Sequence, residues 1–147
     1  MTHLMKSAFN WKLLALTVFT ASLAPQALMA TEAKCPLGNA TLRGTYMSHG
    51  SGTIVGVGPV VAVGLIMYDG KGNLVNPFTL SVNGNISNNT AIGTYTVNSD
   101  CTGTVTQTGG NFNFVVAANG SQVFWIEIDP STVVSGSAQR LGHADSD

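Results

Sequence analysis

The chain has 147 residues, of which 9% are charged, against about 25% in an average soluble protein. So low a charge density argues against a coiled coil, an acidic disordered tail and a nucleic-acid-binding protein, since the last of these needs clustered basic residues for the phosphates. The length fits one domain, and without the first 30 residues the remaining 117 carry four basic and seven acidic residues, a net charge of −3.

The first 30 residues have the three-part pattern of a secretory signal peptide. Lys6 and Lys12 precede an uncharged, mostly apolar stretch over residues 13–24, and a short segment then ends in a small residue, Ala30. Twelve helical residues span only about 18 Å, short of the roughly 30 Å hydrocarbon core, so a membrane anchor is not expected. We expect cleavage after Ala30, with Ala33 as second choice, and a secreted or periplasmic protein that meets a membrane only through this peptide.

The part of the chain after the signal peptide contains two cysteines, Cys35 and Cys101. The compartment that a secretory signal reaches is oxidising, which favours a disulfide between them. Closing a loop of about 67 residues would stabilise the fold by roughly 4 kcal/mol. A catalytic thiol is the alternative, but it needs a nearby base, and neither cysteine has a histidine close in sequence.

From residue 41 onward, apolar side chains recur with a period of two, as in residues 78–83 and 111–114. This period is typical of strands that have one solvent-exposed face. Glycine, asparagine and aspartate suited to tight hairpin turns follow at intervals of about ten to fifteen residues. The pattern predicts an antiparallel meander without a helix. The predicted strands cover residues 41–49, 53–57, 60–69, 74–83, 91–98, 103–108, 111–117, 122–129 and 133–141.

Eight or nine short strands are typical of an all-β barrel or sandwich. Consecutive hairpins favour an antiparallel up-and-down barrel of about eight strands over residues 31–147, because closing the sheet removes both exposed edges. A Greek-key sandwich would need a long connection. The one candidate for it is the glycine-rich stretch from Gly50 to Pro59.

Four motifs resemble a family of small secreted bacterial proteins of uncharacterised function. They are LRGTY at 42–46, YDGKGN at 68–73, GTYTVNSDCTGT at 93–104, and VVSG at 133–136 followed by Arg140. By architecture this family is similar to the allene oxide cyclase-like and dirigent-like barrels of the calycin type. The resemblance implies a barrel with a ligand cavity, and it transfers no catalytic residue.

The alternating apolar residues define a candidate interior, which in an eight-stranded barrel either fills with side chains or holds one small ligand. A small domain favours the filled core, whereas the disulfide and two tyrosine hydroxyls favour a binding site. In the second case the hydroxyls of Tyr46 and Tyr95 would orient the ligand. The candidate interior residues are Tyr46, Met67, Phe78, Leu80, Val82, Tyr95, Phe112, Phe114, Phe124 and Ile126.

Glu127 is the one acidic residue in the interior of a predicted strand and not at its end, and it shares a face with Val123 and Trp125. An acid placed there needs a partner, and Arg43 and Arg140, in the first and last strands, are the plausible ones. Because the first and last strands of a barrel are neighbours, the three residues could form a polar cluster that clamps the closure. An ordinary surface ion pair, worth about 0–1 kcal/mol, is an equally good interpretation.

Other catalytic patterns are missing from the sequence. It contains no Gly-x-Ser-x-Gly, and His49 and His143 are the only histidines after the signal peptide, 94 residues apart. That separation argues against a metal site, and the turn at 69–73 lacks the spacing of a calcium loop. We therefore expect no metal and no cofactor, and the catalytic residues, if there are any, stay unknown.

Three classes of function fit these observations. The first is a secreted barrel that binds a small apolar ligand inside. The second is an isomerase or cyclase of the allene oxide cyclase kind, which needs few catalytic groups. The third is a cell-surface interaction protein, suggested by the apolar stretch from Ile54 to Val63. Residues 60–67 are apolar on both strand faces, which predicts a second covering surface: the N-terminal segment, a membrane surface or another subunit, the last of which would make a homo-oligomer.

Overall fold

The computed structural model describes residues 34–142. Eight β-strands each pair antiparallel with their chain neighbours, and β1 also pairs with β8, so the sheet closes into a barrel. The predicted all-β, up-and-down, eight-stranded barrel is confirmed. The elements are a 3-10 helix at Gly38–Thr41 and strands β1 Arg43–Ile54, β2 Gly58–Asp69, β3 Asn73–Val82, β4 Asn85–Val97, β5 Thr102–Gln107, β6 Gly110–Val116, β7 Gln122–Glu127 and β8 Thr132–Arg140.

The region between Gly50 and Pro59 is a hairpin and not a long connection. β1 continues through Gly50 and Gly52 to Ile54, so the first two predicted strands are one. The glycines interrupt the alternation of apolar side chains, but they allow close packing, since a side-chain carbon on Gly52 would overlap the backbone of Val133. A three-residue turn then leads into β2, which excludes the Greek-key alternative.

β4 begins at Asn85, six residues before its predicted start. Residues 85–90 are exposed, and all but Ile86 are polar, so they show no alternation. They are extended because their backbones pair with β3, from Asn85 opposite Val82 to Thr90 opposite Pro77. The pairing of β4 with β5 covers only residues 93–97, which leaves the first half of β4 paired on one side.

One end of the barrel is closed by the segment 34–42. The disulfide between Cys35 and Cys101 ties this segment to the β4–β5 turn, as predicted. Leu42, the last residue of this segment, is fully buried. The hydroxyl of Tyr95 donates to the carbonyl oxygen of Leu42 at 2.8 Å, and the backbone N–H of Val97 donates to Asn39 Oδ1 at 2.8 Å. A disulfide also marks an oxidising compartment.

The packed core occupies the same half of the barrel. Tyr68 lies between Tyr46 and Tyr95, with ring centroids 5.2 Å and 4.9 Å away and the rings edge to face. Apolar side chains from seven strands, β2 to β8, complete this core: Ile66, Leu74, Val97, Val105, Phe114, Val116, Val123 and Ala138. No helix within residues 34–142 has the length and apolar character needed to cross a membrane. The predicted signal peptide lies outside the described residues.

Candidate ligand-binding cavity

The other half of the barrel is hollow. A cavity of about 430 Å³ runs from the level of Tyr68 toward the open end, where the β5–β6 turn at Thr108 and Gly109 borders it. This volume lies within the range of small-molecule sites, roughly 300–1,000 Å³. Most of the wall is apolar and includes Val60, Ile66, Leu74, Phe78, Leu80 and Phe112.

Six of the ten candidate interior residues point inward. Phe78, Leu80 and Phe112 line the cavity, whereas the other three belong to the packed core and are almost fully buried. These core residues are Tyr46, Tyr95 and Phe114. Val82, also in the predicted set, is half-buried at the end of β3.

Met67, Phe124 and Ile126 face outward, contrary to expectation, with exposed fractions of 39%, 54% and 52%. On β2 both faces are apolar, so alternation did not distinguish Met67 from its neighbours. On β7 the prediction placed Phe124 and Ile126 inside, because the opposite face carries the acidic residue Glu127. The structure shows the reverse, since Val123, Trp125 and Glu127 line the cavity.

Glycines on two strands explain why β7 has this orientation. The indole of Trp125 lies over Gly50 of β1 and Gly136 of β8, and a side-chain carbon on either glycine would overlap the ring. The ring also packs edge to face against Phe112, with centroids 5.4 Å apart. The tryptophan is therefore accommodated inside the barrel by residues far away in sequence.

Two buried polar atoms in the cavity wall have no hydrogen-bond partner among the described residues. They are the indole Nε1 of Trp125 and the side-chain Oδ1 of Asn76. The amide nitrogen of Asn76 is used, since it donates to Gln107 Oε1 at 3.4 Å. Most buried polar groups in proteins are paired, because leaving one unpaired costs about 1–3 kcal/mol. The cavity wall therefore contains two polar atoms, one donor and one acceptor, that are buried without a partner among residues 34–142.

The tyrosine whose hydroxyl is available is Tyr68, and not Tyr46 or Tyr95. The Tyr46 hydroxyl donates to the carbonyl oxygen of Gly120 at 2.6 Å and accepts from Arg140 Nε at 3.1 Å, while that of Tyr95 is bonded to the 34–42 segment. Tyr68 lines the cavity, is 5% exposed, and no hydrogen bond of its hydroxyl occurs within residues 34–142. Burial, with the neighbouring tyrosines, raises the pKa of Tyr68 strongly, so its hydroxyl stays protonated.

The predicted cluster of Arg43, Glu127 and Arg140 does not form. Arg140 lies at the closed end, where its Nη2 donates to the carbonyl oxygen of Thr41 at 3.0 Å. Arg43 is exposed at the same end, opposite Asp69 in the register of β1 and β2. Glu127 lies at the open end opposite Phe112, so the two arginines and the acid are at opposite ends of the barrel.

The carboxyl group of Glu127 instead faces the cavity. Burial raises its pKa, and the nearby charge of Asp129 raises it further. Asp129 accepts hydrogen bonds from the backbone N–H and side-chain amide of Asn111, both at 2.8 Å, which lower the pKa of Asp129. At the open end, a carboxyl group with a raised pKa therefore borders an apolar chamber.

The remaining candidates lie away from the cavity. His49 is exposed on the outer face of β1, opposite Val63, and His143 lies outside the described residues. Within residues 34–142 no three His, Cys, Asp or Glu side chains come together as a metal site. The outer face of β2 carries a row of exposed apolar side chains: Val61, Val63, Leu65 and Met67.

Comparison with known proteins returned no match, whether against family models, curated proteins or solved structures. The functional argument therefore depends on the cavity itself.

Proposed function

We propose that this protein is an exported barrel that binds one small, largely apolar molecule in its interior. The observation that carries the proposal is the hollow half of the barrel, about 430 Å³ with mostly apolar walls. A domain of this size gains stability by filling its core, so an open chamber is a cost that a binding function explains.

Polar side chains in the mostly apolar wall support a ligand with a few hydrogen-bonding groups. Ser48, Gln107 and Tyr68 line the cavity, and their hydroxyl and amide groups can donate or accept hydrogen bonds. A small number of convergent polar groups in an apolar pocket is typical of small-molecule sites, where they orient the ligand. Water alone would satisfy the polar atoms but would gain little from the apolar walls.

Uptake of Nile red, a neutral dye whose fluorescence rises in apolar surroundings, tests the proposal. Ala62 lines the cavity, whereas Val61 is exposed on the outer face of β2. We expect the wild-type protein to take up the dye, Ala62→Phe to take up much less, and the matched control Val61→Phe to behave as wild type. No uptake by folded wild-type protein, or equal uptake by both variants, would contradict binding in the interior.

Two further variants test the orientation of the ligand. Tyr68→Phe removes a hydroxyl that faces the cavity and makes no hydrogen bond within the described residues, so it should change dye affinity and leave stability nearly unchanged. Tyr46→Phe removes a hydroxyl bonded to Gly120 and Arg140, so it should lower stability by about 1–3 kcal/mol and leave affinity unchanged. Urea unfolding and dye titration on both proteins measure the two effects.

An isomerase or cyclase is the second candidate, favoured by the position of Glu127. Its carboxyl group lines the cavity, and its raised pKa suits proton exchange with a bound molecule. Turnover of apolar epoxide or polyene substrates that is lost in Glu127→Gln would support catalysis. If such substrates bind and are not converted, the catalytic function is refuted and the binding function stands.

Self-association is a separate proposal that depends on the outer face of β2. Its four exposed apolar residues, 61, 63, 65 and 67, form an uncharged row that a second subunit could cover. Sedimentation of wild type and Val63→Lys would test this, and a monomeric wild type would refute it.

A further inference from the structure

The charged residues of the described chain are divided between the two ends of the barrel. All four basic residues lie at the closed end: Lys34, Arg43, Lys71 and Arg140. Asp69 and Asp100 lie at that end as well, in the turns after β2 and β4. The open end carries Glu127 and Asp129 and no basic residue of the described chain. Counting residues 34–142 alone, the closed end has a net charge of +2 and the open end −2.

Glu127 is the one charged residue in the wall of the cavity. Its neighbour across the β6–β7 pairing is Phe112, and β8 presents Val134 to the same chamber, so no titratable group faces it from either adjacent strand. Asp129, on its own segment, is the nearest charge, and Asn111 holds it as a carboxylate. The Glu127 carboxylate thus has no cationic partner in the part of the chain that the structure describes, although one would stabilise it.

The groups beside Glu127 are aromatic. Phe112 and Trp125 flank it on the inner wall and pack against each other edge to face. A cation gains energy over such ring faces in addition to its attraction to a carboxylate. A carboxylate ligand would meet the opposite situation, since it would lose water beside two negative charges with no basic residue to receive it.

We infer that the ligand of this cavity is an amphiphilic amine, which places its ammonium group beside Glu127 and its hydrocarbon body against the apolar walls. This inference rests on the proposed binding function and adds the charge of the ligand. The negative potential at the open end would also attract such a cation from solution. Fatty acids and other anionic amphiphiles are disfavoured by the same charges.

Three probes with the same alkyl chain test the inference: decylamine, decanol and decanoate. Each is titrated against Nile red bound to the oxidised protein at neutral pH and low salt, below the concentration at which the probe forms micelles. We expect decylamine to bind more tightly than decanol by about tenfold or more, as one charged hydrogen bond would give, and decanoate to bind most weakly. Decanoate binding as tightly as decylamine would refute the inference.

Glu127→Gln should reduce decylamine binding to the level of decanol and leave decanol unchanged. Asp100→Asn is the matched control, because it removes the same charge at the closed end and should leave the order of the three probes intact. If decanol binds and decylamine has no advantage that Glu127→Gln removes, the inference fails while the binding function stands. If no probe and no dye binds, the binding function itself fails.

A titration of the wild-type protein gives an answer that does not depend on a folded variant. Because a bound ammonium favours the carboxylate, saturation with decylamine should lower the pKa of Glu127, measured by NMR of its side-chain carboxyl, and saturation with decanol should not. Equal pKa values of Glu127 in the two complexes would also overturn the inference.

Discussion

Phe112 and Phe114 provide a direct test of the division between a packed and a hollow half. Both are phenylalanines on the inner face of β6, two residues apart. Phe114 is 4% exposed and packs on Gly103, where a side-chain carbon would overlap its ring. Phe112 is half-buried and has the cavity on one side. The same substitution should therefore have different costs at the two positions.

Phe114→Ala opens a new cavity in close-packed surroundings, which typically costs about 3–5 kcal/mol. Phe112→Ala enlarges a space that is already open, so it loses mainly the transfer free energy of a half-buried ring, about 1–2 kcal/mol. The difference should be about 2 kcal/mol or more in the free energy of unfolding. Because both sites lie in one strand, the effect of the substitution on strand propensity is similar at the two positions and cancels in this difference.

Urea unfolding of the two variants and the wild type measures this difference, with intrinsic fluorescence and far-UV circular dichroism as independent probes. Dye uptake should persist in both variants. Equal losses of stability, each near 3–5 kcal/mol, would refute the hollow-half interpretation, since they would mean that Phe112 is as tightly packed as Phe114.

Three further predictions concern the parts that hold the barrel together. Replacing Cys35 and Cys101 by serine should lower the free energy of unfolding by about 4 kcal/mol, and a loss below 1 kcal/mol in urea unfolding would contradict this. Hydrogen bonds from the β2–β3 turn lower the pKa of Asp69 from 3.8 to about 2, so its stabilising effect should be complete above pH 3.8 and disappear toward pH 2; an NMR midpoint near 4 would contradict it. Gly50→Ala should cost about 1–3 kcal/mol by overlapping the Trp125 indole, and much less in a Trp125→Leu background; additive costs in this cycle would refute the overlap.

The sequence predicted the class of fold because the relevant signals are local. Alternation along β3 and β6 and the glycine and asparagine turns each depend on a few neighbouring residues. The disulfide required only the count of cysteines. Residues 85–90 of β4 show no alternation and are extended because their backbones pair with β3. No local pattern could therefore reveal where this strand begins.

The cavity was less predictable because its wall is decided by contacts between distant strands. Trp125 points inward since Gly50 and Gly136 leave room for it, a match between three strands that single-strand patterns do not show. Tyr68 has the same spacing as Ile66 on β2 and could have been assigned to the inner face. Because Met67 is also apolar, alternation did not show which of the two faces is inside. Whether a tyrosine hydroxyl is free depends on its partners, and the partners of Tyr46 and Tyr95 lie 53–94 residues away.

The two halves of the barrel complement each other energetically. The hollow half contains two buried polar atoms without partners, on Trp125 and Asn76, at a cost of about 1–3 kcal/mol each. The closed half contains the disulfide between Cys35 and Cys101, worth about 4 kcal/mol, and its effect on the unfolded chain does not depend on how the interior is packed. The two contributions are similar in size and opposite in sign. The disulfide at the closed end therefore offsets the cost of an unfilled, partly polar chamber at the open end. Apolar packing alone gives a domain of this size little stability to spare for such a chamber.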